Sequence, residues 1–162
     1  MVYNNRGMFA EEIINRSISY FQGKVYIEKR ELKIKIIKSQ NNDLIVGKLL
    51  GKSFVDYFGF YNQIHFEFEV KQTEKEYFDI NLIKKHQLEH LKNISALGVK
   101  SFIIVYMYKY DKFYVIPYLL LQQYIDDANR QKIPVEVLNK ISKTHEIIYP
   151  GVINFVDICK SL

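Results

Sequence analysis

Asp56, Glu69 and Lys71 have the residue types and the spacing to hydrolyse a phosphate ester. Asp56 lies in Val55-Asp-Tyr-Phe-Gly59, and thirteen positions later Glu69 and Lys71 stand two apart in Phe66-Glu-Phe-Glu-Val-Lys-Gln-Thr73. Phosphodiester hydrolysis calls for a hard cation that polarises a phosphoryl oxygen and lowers the pKa of water, and Mg²⁺ is held by one or two carboxylates plus water and substrate oxygens. Asp56 and Glu69 can supply the carboxylates, and Lys71 can orient the attacking water or stabilise charge in the transition state. The plain alternative is a solvated strand face, on which an Asp, a Glu and a Lys are ordinary and Glu-x-Lys recurs by chance.

The elements around these residues decide between the two readings. Read as a strand, Phe66, Phe68 and Val70 point one way and Glu67, Glu69 and Lys71 the other. The run Phe54 to Phe60 is also β-like, and the break Tyr61-Asn62-Gln63 is short enough for a hairpin loop. Folding about that break brings Asp56 opposite Glu69 or one diagonal step away. Two carboxylates that close repel, and a divalent cation between them is the usual way both stay ionised.

Elsewhere, Met8 to Phe21 reads as a helix that carries Glu11 and Glu12 and stops at Gly23. Lys24 to Lys38 reads as extended, with Lys33 and Lys35 alternating against Ile34 and Ile36. Asn41-Asn42-Asp43 is a turn and Leu44 to Leu50 a return, either a plain hairpin with solvated lysines or an excursion from the core. A helix is predicted over Leu82 to Leu97 with a stop at Gly98, and a buried strand over Ser101 to Tyr108 pairs with Lys112 to Ile116. Pro117 opens a helix to about Arg130, and a short helix begins near Pro134. This order describes an α/β domain with a central mixed sheet.

Composition narrows the classes. The 162 residues fit one domain, and 48% hydrophobic with 15% aromatic content excludes disorder. A net charge of +5 and a pI near 9.1 suit a polyanionic partner. No apolar run approaches a membrane span and Met1 to Arg16 lacks a signal-peptide core, which predicts a soluble cytoplasmic protein. The lone Cys159 permits no internal disulfide and reads as packing.

A second motif competes. His86-Gln-Leu-Glu-His90 fits H-x-x-E-H, in which two histidines a helical turn apart bind zinc and the glutamate assists water. A zinc metallopeptidase needs a third ligand, and the spacing of His65, His145, Glu136 and Glu146 singles none out.

Taken together, Asn5-Arg-Gly-Met8 followed by Glu11, Val55-Asp-Tyr-Phe-Gly59, Phe68-Glu-Val-Lys-Gln-Thr73 and His86-Gln-Leu-Glu-His90 closely resemble the RecU-type Holliday junction resolvases, over nearly the whole chain. The resemblance implies a restriction-endonuclease-like α/β core, a homodimer, and symmetric nicking of four-way junction DNA in recombination, repair and chromosome segregation. It implies Mg²⁺, with Mn²⁺ able to substitute, and a strand-exchange recombinase as a further partner. By resemblance, Asp56, Glu69 and Glu11 are metal-binding acids, Lys71 is the catalytic lysine, and Gln87 and Thr73 support the site. Arg6 is placed for phosphate or partner contact. A stalk that enters the junction corresponds to residues 33–52, where Lys33, Lys35, Lys38, Lys48 and Lys52 would hold phosphates.

The chain departs from the family at three places. Glu69-Val-Lys-Gln-Thr73 replaces Glu-Ala-Lys-Glu-Thr, Ser53-Phe-Val-Asp56 replaces a Ser-Thr-rich approach, and Arg30-Glu-Leu-Lys33 replaces a Pro-rich start of the stalk. The first two predict weaker support around the metal ligands. A junction-binding protein with weak or no cleavage is the main alternative that follows.

Overall fold

The alternation through Phe66 and Lys71 belongs to a ten-residue strand, β5 (Ile64–Thr73), inside a six-stranded sheet. The computed structural model describes residues 8–39, 45–51, 54–128 and 130–162. Arg6, the turn at 41–43 and Lys52 therefore lie outside the described residues. The sheet runs β1 (Tyr26–Lys29), β4 (Tyr57–Tyr61), β5, β7 (Lys100–Met107), β8 (Lys112–Pro117), β10 (Lys143–His145). The β5 and β7 strands are parallel and every other neighbouring pair is antiparallel, giving the expected mixed sheet. A parallel pair needs a crossover, and here the connection contains α2 (Lys85–Ala96).

Both faces of the sheet are covered. Phe66, Phe68 and Val70 join Phe102, Ile104 and Tyr106 beneath α1 (Met8–Tyr20) and α5 (Phe155–Lys160), which contribute Ala10, Ile13, Ile14, Phe155 and Ile158. On the opposite face Ile103, Val105, Met107 and Ile116 pack under α2, α3 (Tyr118–Ala128) and α4 (Val135–Ile141) through Leu91, Leu121 and Leu138. Tyr57, Phe68 and Phe102 form a column of near-parallel rings with centroids 4.9 and 5.0 Å apart. Each such pair contributes about 1 kcal/mol beyond burial and helps fix the alignment of β4, β5 and β7. Cys159 is buried in the first layer, and burial pushes its thiol up to about 12, which suits the packing role.

The β4–β5 hairpin turns on Asn62 and Gln63, both at positive φ (44° and 67°), the conformation that a two-residue turn matching strand twist requires. The pairs Tyr61↔Ile64 through Tyr57↔Phe68 follow from that turn. Continued by one residue, the register sets Asp56 directly opposite Glu69.

A second, two-stranded sheet comprises β2 (Lys33–Ser39) and β3 (Ile45–Gly51), and nearly all of its described side chains are exposed. Lys35 lies opposite Lys48, and Ile34 opposite Leu49. The irregularity between Ile36 and Lys38 pairs Lys38 with Val46, which shares a face with Lys48, so the extra residue returns Lys38 to the lysine face. The other face carries Ile34, Ile36, Leu49 and Ile45. A Cβ at Gly47 would collide with the Ile34 γ-methyl, so glycine makes room on that face.

One local expectation is corrected, and four short elements join those read from the sequence. The predicted 82–97 helix begins at Lys85, because Ile80–Leu82 forms a 3-10 turn in which Asn81 N donates to Asp79 Oδ1. The short strands β6 (Tyr77–Asp79) and β9 (Lys132–Pro134) pair with each other, and β10 extends the main sheet; three residues are too few for an alternating pattern to register. The terminal α5 was equally invisible, at six residues. Among the described residues no helix is long and apolar enough to cross a membrane.

Candidate active site

The polar face of β5 is not a solvated face. Glu69 is fully buried and Glu67 nearly so, beneath α2. A buried carboxylate persists only with hydrogen-bond donors or charge partners around it, and Glu69 has several. Its Oε2 accepts the Asp56 amide at 3.1 Å, and the Val70 amide donates to Asp56 Oδ2 at 3.0 Å, so the two acids are laced together through each other's backbone. The Lys71 ammonium pairs with Glu69 Oε1. Gln87 Nε2 donates to the same oxygen at 2.6 Å. Gln87 Oε1 meanwhile accepts the Lys84 amide at the start of α2 at 3.0 Å, which fixes which end of the side-chain amide faces the carboxylate.

Burial first, and then the charge of Asp56, raise the Glu69 carboxyl from its ordinary value to about 7, while Lys71 opposes the rise. A second positive charge would relieve this site. The available donors are hard carboxylate oxygens, which suit a largely hydrated Mg²⁺-type ion that takes one or two protein carboxylates. Asp56 and Glu69 thus fit such an ion.

The remaining candidates are placed differently. Glu11, in the first turn of α1, pairs with Lys29 of β1. Among the described residues no three His, Cys, Asp or Glu side chains are grouped to hold a metal, so Glu11 does not join Asp56 and Glu69 in one cluster. It is nonetheless in the same electrostatic field: burial and the charges of Glu11, Asp56 and Glu69 all raise the pKa of Tyr57, whose hydroxyl donates to Asn15 Oδ1 at 2.8 Å. Thr73 Oγ1 accepts the Lys75 amide at 3.1 Å and so shapes the turn that ends β5. Lys35, Lys38 and Lys48 lie along the β2–β3 ribbon, and Lys33 stands at its first residue, with its ammonium over the Phe54 ring.

The expected weakness at Gln72 is corrected. Residue 72 points to the α1 face, opposite to Glu69 and Lys71, where Gln72 Oε1 accepts the Ala10 amide at 2.9 Å and its Nε2 donates to Tyr108 at 3.1 Å. It anchors the helix that carries Glu11. The replacement of an acid by glutamine therefore leaves the carboxylate face untouched.

A second buried centre went unread in the sequence. Glu67 receives Arg30 Nη2 at 2.7 Å and lies 2.6 Å from His90 Nε2. His90 also stacks on Phe54, with ring centroids 4.8 Å apart. The available signal was the pairing of two periods: Glu67 and Glu69 share a strand face, and Gln87 and His90 share a helix face. His90 is occupied by Glu67, and Glu89 is exposed, so H-x-x-E-H is not assembled as a zinc site among the described residues.

A family model described as RecU, recombination protein U, matches residues 5–161. A Holliday junction resolvase RecU of Ureaplasma parvum is 40% identical over 153 residues, covering 93% of this chain and 89% of that protein. One from Mycoplasmopsis pulmonis is 30% identical over 163 residues, covering 100% and 98%. Among solved structures, the Holliday junction resolvase Hjc of Archaeoglobus fulgidus aligns with a TM-score of 0.48 at 11% identity, over 80% of this chain and 92% of that one. With a family model matching residues 5–161 and relatives at 40% and 30% identity aligned over most of both chains, the chain belongs to the RecU family.

Proposed function

We propose that this protein is a Holliday junction resolvase, an endonuclease that nicks four-way DNA junctions symmetrically in recombination, repair and chromosome segregation. Family membership supports the substrate, and one observation carries the chemistry: two carboxylates, Asp56 and Glu69, are held against each other with an ammonium and an amide directed at Glu69. Asp56 and Glu69 would hold Mg²⁺, or Mn²⁺ in its place, with Glu11 acting from the adjoining helix. Bound there, the cation would polarise the phosphoryl oxygen and lower the pKa of water. Lys71 contributes a fixed positive charge at the edge of the site, where it orients the attacking water and offsets charge developing on phosphorus. Gln87 holds Glu69 in one rotamer, so that the carboxylate does not reorganise during the reaction.

Symmetric cutting requires two sites related by a two-fold axis, hence a homodimer. The β2–β3 ribbon supports one: an isolated two-stranded ribbon cannot bury its own apolar face, and Ile34, Ile36, Ile45 and Leu49 are each about half exposed. We assign that face to the same segment of a second copy. The opposite face, with Lys35, Lys38 and Lys48, then meets DNA phosphates as a stalk inside the junction. Action on chromosomal DNA places the protein in the cytoplasm.

The test is cleavage of a synthetic four-way junction with Mg²⁺. Wild type should give paired, symmetric nicks, and Asp56→Asn, Glu69→Gln and Lys71→Ala should each lose at least about a hundred-fold in rate while still binding the junction. Binding without any Mg²⁺-dependent product in the wild type would instead make the protein a junction-binding module.

A further inference from the structure

We propose that the cleft beside Asp56 is a nucleotide subsite, in which Phe54 stacks a nucleobase adjoining the scissile phosphate and Lys33 meets the phosphate of that nucleotide. The inference rests on the nuclease reading above and adds to it a residue that holds substrate. The cleft measures about 560 Å³ and is lined by the chain from Glu28 to Glu31 together with Lys33, Phe54 and Phe58. It adjoins the carboxylate pair along the backbone: Phe54 stands two residues before Asp56, and the Arg30 amide donates to the Asp56 carbonyl at 2.8 Å.

Phe54 is built as a platform. Its ring lies nearly parallel to the His90 ring, at 14°, and His90 is itself held 2.6 Å from the buried Glu67. Despite this backing, Phe54 is 46% exposed. A fixed, exposed aromatic ring at the edge of a polar cleft is the feature on which unstacked bases are held, since every base has a π-face.

The charges in the cleft select the ligand. Lys29 and Arg30 are committed to Glu11 and Glu67, whereas Lys33 makes no ion pair among the described residues; its ammonium lies over the Phe54 ring, 5.3 Å from the centre, and on its flexible stem can yield that face to a base and turn to the phosphate. One free ammonium suits one phosphate. Glu28 and Glu31 line the same cleft, and their carboxylates can accept from the exocyclic amino group of a base. A flat face, an anionic group and an amino donor together describe a nucleotide, and a base free to stack is what the crossing point of a junction offers.

Junctions carrying 2-aminopurine at successive positions around the cleavage point test this, bound to the full-length protein with Ca²⁺ in place of Mg²⁺. One position is expected to be quenched on binding by wild type. Phe54→Tyr should keep the quenching. Phe54→Ala and Phe54→Leu, the second of which preserves apolar packing on His90, should abolish it and weaken junction binding roughly ten-fold. The proposal is overturned if no position is quenched, or if Phe54→Leu quenches and binds as wild type does. A wild type that neither binds nor cuts junctions would overturn the nuclease reading itself, a result distinct from either of these.

Discussion

His90 Nε2 lies 2.6 Å from a Glu67 oxygen, one helical turn beyond the Gln87 amide that reaches Glu69 at the same distance. Helix α2 therefore grips the polar face of β5 at two carboxylates, and only one of them belongs to the proposed metal site. The other is structural and holds β1 as well, through Arg30.

Gln87→Ala removes a donor from Glu69 and leaves the Lys84 amide without its side-chain acceptor. Single-turnover cleavage should fall about 10- to 100-fold with junction affinity unchanged. Gln87→Glu sets a second carboxylate against Glu69 and should cut less well than Gln87→Ala; equal rates for the two variants would argue against a direct Gln87–Glu69 contact in the working enzyme.

Glu67→Ala leaves Arg30 and His90 without their shared carboxylate. Breaking such a pair in a buried setting costs about 3–5 kcal/mol, and the partial exposure of Arg30 brings the expected loss to about 2–3 kcal/mol. Urea unfolding should show this as a lowered midpoint at unchanged m-value. A loss below about 1 kcal/mol would mean that Glu67 is not the anchor of α2.

The Glu69 carboxyl titrates near 7 in the fold and near its ordinary value of 4.5 when unfolded. The native state then holds the extra proton between these values, so the contribution of Glu69 to stability is greatest below pH 4.5 and is lost as pH rises through 7. In EDTA, Glu69→Gln should escape that fall, gaining on wild type by on the order of 3 kcal/mol between pH 4.5 and pH 8. Divalent cations should reverse the advantage in wild type alone. Parallel stability curves for the two proteins in EDTA would refute the assignment.

Lys35 and Lys48 face each other across the ribbon, an arrangement that costs stability without an anion between them. Replacing both by alanine should reduce the slope of log affinity against log salt by about 2 on junction DNA, roughly 0.9 per phosphate contact. The nicking rate at saturating protein should stay near wild type, since neither lysine is near Glu69.

Ile36→Glu places a charge in the middle of the apolar ribbon face. Sedimentation velocity should show the variant shifted to monomer with its fold intact by circular dichroism. A variant that still sediments as a dimer would move the interface elsewhere on the molecule.

The sequence by itself determined the strand and which of its faces carries Glu67, Glu69 and Lys71. Period-two alternation from Phe66 to Lys71 and a break at Tyr61-Asn62-Gln63 are local properties of the chain, and together they bring Asp56 opposite Glu69 or one diagonal step away; the two-residue turn at Asn62 and Gln63 selects the first. The helix containing Gln87 and the lysines of the ribbon were legible for the same reason. Only the tertiary structure decided what lies over that strand face. Whether Glu67 and Glu69 meet water or a helix depends on the crossover that sets α2 above β5, and this is fixed by packing between residues far apart in the chain. The buried Glu67–Arg30–His90 centre and the Phe54 platform follow from that packing, and the hold of Gln72 on α1 follows from packing on the other face. Local pattern says which way a side chain points; what it meets there is set by contacts between distant segments, which no local period records.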